Sequence, residues 1–253
     1  MPAPLPIPDS YRPASLMVVV AHPDDAEFMV AGTAAKWALH GTEVTYVVVT
    51  RGDKGSDDPQ MTSTRLTTIR EAEQRAAGAI LGVKNFEFMG YPDGYLMHTL
   101  ELRRDITRLV RTYRPEVLVT FDPTTRFFGD SYTNHPDHRA TGDATIDAVF
   151  PSARDRLTFP ELLVDGLEPW KVAQLWLGLS AEPNICVDIS STLSTKRAAL
   201  AAHPSQFGEE IQGFVVEMAS SSASDQDFDY GETFRRIFLD VPFAQQDPVG
   251  PPK

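Results

Sequence analysis

Residues 16–21 read Leu-Met-Val-Val-Val-Ala, six apolar positions with no polar face. A strand of this kind must be covered on both sides, as in a parallel sheet between two layers of helices. Val44–Val49 reads as a second buried strand, and Phe86–Met89 and Val117–Phe121 as a short third strand and a fourth. Between them lie helical stretches. Apolar positions recur at helical spacing over 26–40, ending near Gly41, a stop signal. Arg65–Leu81 places Leu66, Ile69, Ala72, Ala76 and Ile80 on one side, and Leu100–Tyr113 forms a further helix. Strand and helix thus alternate four times. The pattern predicts a Rossmann-like, doubly wound α/β fold with a mostly parallel sheet, helices on both faces and right-handed crossovers. Ligands of such sheets bind beyond the carboxyl ends of the strands, so chemistry is expected just after residues 21, 50, 89 and 121.

The second half is less regular. Residues 171–178 and 184–190 read as strands, 139–149 and 192–202 as helices. The expected organisation has three parts: a flexible segment 1–14, a main domain 15–210 and an extension 211–253. A mobile Ser/Asp-rich loop is expected over Ser220–Asp229, and a disordered polar, Pro-rich tail from Gln245.

The length of 253 residues suits one large domain or one domain with a small extension. With 23 Lys+Arg against 35 Asp+Glu, the formal charge is -12. Such a field repels a phosphate backbone, so nucleic acid is not expected as a partner. The single cysteine, Cys186, lies in an apolar run and reads as a small buried hydrophobe. An internal disulfide and a cysteine-based zinc cluster are therefore excluded. The Pro-rich start lacks the charged and apolar regions of a signal peptide, and no apolar run reaches the roughly 20 residues of a membrane span. A cytoplasmic protein without a membrane partner is expected, and a homo-oligomer is compatible with the sequence.

The first strand ends in His22-Pro23-Asp24-Asp25-Ala26-Glu27. This turn lacks the Gly-x-Gly through which a pyrophosphate approaches the backbone. Its imidazole and carboxylates suit a cation. The fourth strand leads to His135-Pro136-Asp137-His138, with Pro136 placed to open a helix. Both segments leave the same sheet edge, which allows His22, Asp25 and His138 to converge. Two imidazoles and one carboxylate leave zinc an open position, as in catalytic sites. Fe(II) could use the same ligands. Asp24 could then act as general base, and His135 could stabilise an oxyanion or protonate a leaving amine. Taken alone, each fragment reads as a capped turn, and their shared edge is what favours a metal site. His40 ends a helix, where its charge favours the dipole, and His98 reads as a loop residue.

These residues resemble the LmbE-like/PIG-L family of zinc-dependent N-acetylglucosaminyl deacetylases. The likeness rests on Ala-His-Pro-Asp-Asp-x-Glu at 21–27 and His-Pro-Asp-His at 135–138. It extends through Thr50–Gly55, Arg70–Glu73, Gly90–Gly94 and His203-Pro204-Ser205-Gln206, covering about residues 15–210. The resemblance implies His22, Asp25 and His138 as zinc ligands, Asp24 as base and His135 as the acid or oxyanion residue. It implies sugar contacts at Arg70 and Asp93. The same residues also read as a helix-surface ion pair and a turn residue. Many relatives carry Glu directly after the second Asp. Here Ala26 intervenes, so Glu27 either supports the site or begins the helix. Tyr132 is the nearest counterpart of a tyrosine that assists catalysis in some members. The loop 122–134, with Phe127, Phe128 and Tyr132, is the expected place for substrate selection.

The expected reaction is hydrolysis of an N-acetyl amide on a small amino-sugar molecule. An amidase acting on a thiol conjugate shares the chemistry. A non-catalytic, metal-containing carbohydrate-binding protein would have no need of Asp24 beside the metal. A magnesium phosphoryl-transfer enzyme would want oxygen ligands in place of two imidazoles.

Overall fold

The computed structural model describes residues 3–239. In chain order, β1 (Leu5–Pro6) and β2 (Ser15–Val20) precede α1 (Asp25–Met29) and α2 (Ala31–Ala38). Next come β3 (Glu43–Thr50), α3 (Ser63–Leu81), β4 (Asn85–Tyr91), α4 (Leu100–Tyr113) and β5 (Val117–Phe121). A small hairpin, β6 (Phe127–Phe128) and β7 (Tyr132–Thr133), leads to α5 (Pro136–Asp147). The second half adds α6 (Glu161–Val164), β8 (Gln174–Gly178), β9 (Ile185–Asp188), α7 (Leu193–Leu200), α8 (Ile211–Ser222) and β10 (Gly231–Phe238).

Eight strands form one sheet in the order β1-β9-β10-β8-β5-β2-β3-β4. All pairings are parallel except those of β10, which runs antiparallel to both β8 and β9. The two faces follow from the pleat of β2. Val18 and Val20 face a core shared with Ala26, Trp37, Ala77, Ala199 and Ala219, from α1, α2, α3, α7 and α8. Met17 and Val19 face the opposite core, with Ile106 and Val110 of α4 and Ala140 and Ala144 of α5. The expected doubly wound architecture is therefore present.

The strand order also fixes where a ligand can sit. From β2 the chain moves to β3 and β4 on one side, then returns to place β5 on the other side of β2. The loops after β2 and β5 diverge at this switch and leave a crevice between them. α5 approaches the end of β5 closely. A Cβ on Gly142 would lie 2.7 Å from the Phe121 carbonyl oxygen, so only glycine admits this packing.

Several elements differ from the sequence expectation. The helix expected over 26–40 is two helices, broken at Val30 (φ -143°, ψ 4°). Its cause is distant in sequence: the Glu232 carboxylate accepts from Gly32 N, Thr33 N and Thr33 Oγ1 and so caps α2. Glu232 also pairs with Lys196 at 2.7 Å, with both side chains buried. The segment before residue 15 contributes β1, through Leu5 N to Asn184 O and Ile7 N to Cys186 O. Beyond residue 210, α8 covers the start of the expected Ser220–Asp229 loop, and β10 joins the sheet interior. The tail from Gln245 lies outside the described residues. Cys186 is buried, as expected.

Removing the Glu232 carboxylate strands a buried ammonium and two helix N–H groups. Glu232→Ala should lower the unfolding free energy by about 3–5 kcal/mol in urea denaturation. A loss below about 1 kcal/mol would contradict this role.

Candidate active site

The strand β2 ends at Val20, two residues before His22, and the next turn carries Asp24 in a left-handed conformation (φ 100°, ψ -27°). Such a conformation costs a non-glycine residue on the order of 1–3 kcal/mol, so the surroundings must enforce it. Three contacts do so. Asp24 N donates to Gln74 Oε1 at 2.8 Å, Asp24 O accepts from Glu27 N at 2.9 Å, and Asp24 Oδ2 accepts from Arg70 at 2.9 Å. Gln74 Nε2 donates to Glu27 Oε1, and His203 lies 3.4 Å from the other Glu27 oxygen. Gln74, Glu27 and His203 have no solvent exposure. Glu27 therefore supports the site through Gln74.

Asp25 is the centre of the cluster. Its Oδ2 lies 3.3 Å from His22 Nδ1, and its Oδ1 lies 3.1 Å from His138 Nε2. The three residues expected to converge do so. His138 is aligned by Asn134 Oδ1 at 3.1 Å from its Nδ1, and its ring stacks on Phe121 at 4.2 Å. The other face of His22 meets two carboxylates, Asp93 at 3.1 Å and Asp137 at 3.4 Å from Nε2. Asp137 is itself anchored by Gly94 N and Leu96 N. Two overlapping groups of donor atoms result, His22 with His135 and His138, and His22 with Asp93 and Asp137.

His135 caps α5, its Nδ1 accepting from Asp137 N at 3.2 Å. A neutral ring held this way carries its proton on Nε2. Burial, reinforced by His22 and His138, holds its pKa below the usual imidazole value and favours that neutral form. Burial also opposes a charge on His22, but Asp25, Asp137 and Asp93 outweigh it and drive its pKa well above the ordinary range. Asp25 stays well below the usual carboxylate range despite burial, because His138 and His22 face it. Burial lifts Asp24 to about 7 although Arg70 pulls the other way, and Asp25 adds to the rise.

These charges bear on whether a cation fits. Asp24, Asp25, Asp93 and Asp137 are each at most 9% exposed. Among the described residues, one guanidinium, that of Arg70, pairs with any of the four. The other three face the imidazoles of His22 and His138, and a divalent cation would balance the negative charge that remains. Zinc takes imidazole and carboxylate atoms about 2.0–2.2 Å from the ion, and in each of the two donor groups that share His22 such atoms lie within 4.8 Å of one another. The donor set fits zinc, and the same imidazoles accept Fe(II).

The residues read as sugar contacts are placed unevenly. Arg70 is 4% exposed and bonds Pro23 O, Gly52 O and Asp24. Gly52 (φ +60°) allows this, since a Cβ there would lie 2.7 Å from the guanidinium. Asp93 is buried against His22 and accepts from Lys54 N. Tyr132 stands exposed on β7, at a cavity whose floor includes Asp24, Asp25 and His138. Gln74, Asn134 and Asp137 were missed in the sequence. Only Asp137 had a signal there, as the carboxylate enclosed by the His-Pro-Asp-His motif.

Gln74 joins the strained turn to Glu27, so Gln74→Leu leaves two buried polar groups without partners. Its unfolding free energy should fall by about 2–4 kcal/mol. An unchanged thermal melt would show that Asp24 needs no such brace.

Residues 17–149 match the PIG-L family model, described as GlcNAc-PI de-N-acetylase. A diacetylchitobiose deacetylase of Thermococcus kodakarensis is 31% identical over 196 residues, spanning 78% of this chain and 71% of the relative. A probable N-acetyl-alpha-D-glucosaminyl L-malate deacetylase 2 of Bacillus anthracis is 32% identical over 201 residues, spanning 78% and 83%. The solved N,N'-diacetylchitobiose deacetylase of Pyrococcus horikoshii, complexed with its inhibitor MPG, superposes with a TM-score of 0.83 at 30% identity, covering 91% of this chain and 88% of that one. The chain belongs to the PIG-L family.

Proposed function

We propose that this protein is a zinc-dependent deacetylase that hydrolyses the N-acetyl amide of a small N-acetylglucosamine-containing molecule. One observation carries the reading: His22 and His138, from opposite sides of the sheet's switch point, both reach the carboxylate of Asp25. The named activities of the relatives, on diacetylchitobiose and on N-acetylglucosaminyl malate, support the amide and the sugar. No helix among the described residues is long and apolar enough to cross a membrane.

His22, Asp25 and His138 would hold the ion. When bound, the ion supplies Lewis acidity to the amide carbonyl and to water. Asp24 lies on the cavity floor beside Asp25, where it can take the proton of the attacking water. Arg70 keeps that carboxylate aimed. The Nε2–H of His135 can stabilise the oxyanion or pass a proton to the nitrogen as the C–N bond breaks. The hydroxyl of water ends on acetate, and the sugar leaves as the free amine. Asp93 and Asp137 lie 3.1 and 3.4 Å from the far nitrogen of His22, where carboxylates behind a metal-bound imidazole would orient its ring. Tyr132, at the same cavity, would contact the sugar.

Acetate release from N-acetylglucosamine conjugates tests the reading directly, and silence on every conjugate would refute it. Asp24→Asn should retain metal while kcat falls by about 10²–10⁴-fold. Wild-type turnover in that variant would remove Asp24 as base. Asp137→Asn should weaken metal affinity by about 10–100-fold in competition with a chelator, and an unchanged affinity would leave the ring of His22 without need of that brace.

A further inference from the structure

Apart from Tyr132, the cavity above Asp25 has apolar walls to which the proposed hydrolysis gives no role. It encloses about 510 Å³, and Phe28, Phe128, Tyr132, Leu179, Phe214 and Met218 form most of its sides. They arrive from four places: α1, the β6–β7 hairpin, the end of β8 and α8. Tyr132 is 56% exposed and Phe214 52%, large apolar surfaces left facing solvent at this one opening. Leu179 is held at φ 52°, a conformation unfavourable for leucine, and still lines the cavity. The lining carries Asp24, Asp25 and His138, with neither Lys nor Arg among them. The Arg70 guanidinium is committed to Asp24 and two carbonyls.

We propose that this cavity receives an uncharged alkyl or aryl group of the substrate, adjoining the amide that is cut. The inference rests on the amidohydrolase reading above and narrows its substrate class. A single acetylated pyranose would leave the apolar walls wet. A carboxylate or phosphate on this group would find neither Lys nor Arg on those walls and would face Asp24. The apolar group can belong to the aglycone or to the acyl chain, and the two are separable.

The test uses the full chain loaded with zinc. Steady-state kinetics are compared for methyl and octyl N-acetylglucosaminide, and for N-acetyl- and N-octanoylglucosamine, all kept below micelle formation. At least one octyl compound should exceed its short-chain parent in kcat/KM by about tenfold or more, mostly through KM. The arm that responds identifies the side of the amide served. Phe214→Asp, at a half-exposed position that tolerates folding, should reduce this advantage to below about twofold, and Met218→Ser should act in the same direction. Equal kcat/KM for parent and octyl compounds on both arms would overturn the proposal and leave the deacetylase reading standing. An undiminished octyl advantage in both variants would also overturn it. If no amide is cleaved at all, the deacetylase reading falls and this inference falls with it.

Discussion

The site depends on one shared carboxylate. Asp25 holds two imidazoles that the chain delivers from separate strands, His22 at the end of β2 and His138 past the end of β5. These strands are neighbours because the sheet order reverses between them. The crevice, its position and the side chains gathered in it are therefore one consequence of topology. The close seat of α5 against β5, permitted by Gly142, brings His138 within reach.

Holding several carboxylates together out of water sets the other requirements of the site. Arg70 is buried to answer Asp24, and Gly52 exists in its conformation so that the guanidinium can enter. Backbone N–H groups of Gly94 and Leu96 answer Asp137. The strain at Asp24 is sustained from behind by Gln74, Glu27 and His203, none of which reaches the cavity. A rigid rear wall and a charged floor together leave the apolar side walls as the part of the site free to vary with substrate.

The sheet was legible because β2 and β3 are apolar on both faces, and burial on both faces admits few alternatives. The site motifs were legible because their residues lie next to one another at strand ends. What escaped depends on partners far away in sequence. The break at Val30 is imposed by Glu232, some two hundred positions on. β10 entered the sheet interior although it lies within the expected extension, because Phe-Arg-Arg-Ile-Phe shows no clean alternation and its place depends on β8 and β9. Arg70 and Asp93 were recognisable as site residues, but their burial behind Asp24 and His22 could not be seen without the fold. Gln74 and Asn134 carry no local signature at all, since a helical Gln or a loop Asn is ordinary until its partner is placed.

Two donor groups share His22, one facing Asp25 and His138, the other facing Asp93 and Asp137. Anomalous diffraction at the zinc absorption edge, from crystals of the metal-loaded protein, separates them. The account places a single peak about 2.0–2.2 Å from Asp25, from His138 Nε2 and from the Nδ1 side of His22. A peak between His22 Nε2, Asp93 and Asp137, or no peak in this crevice at all, would contradict it.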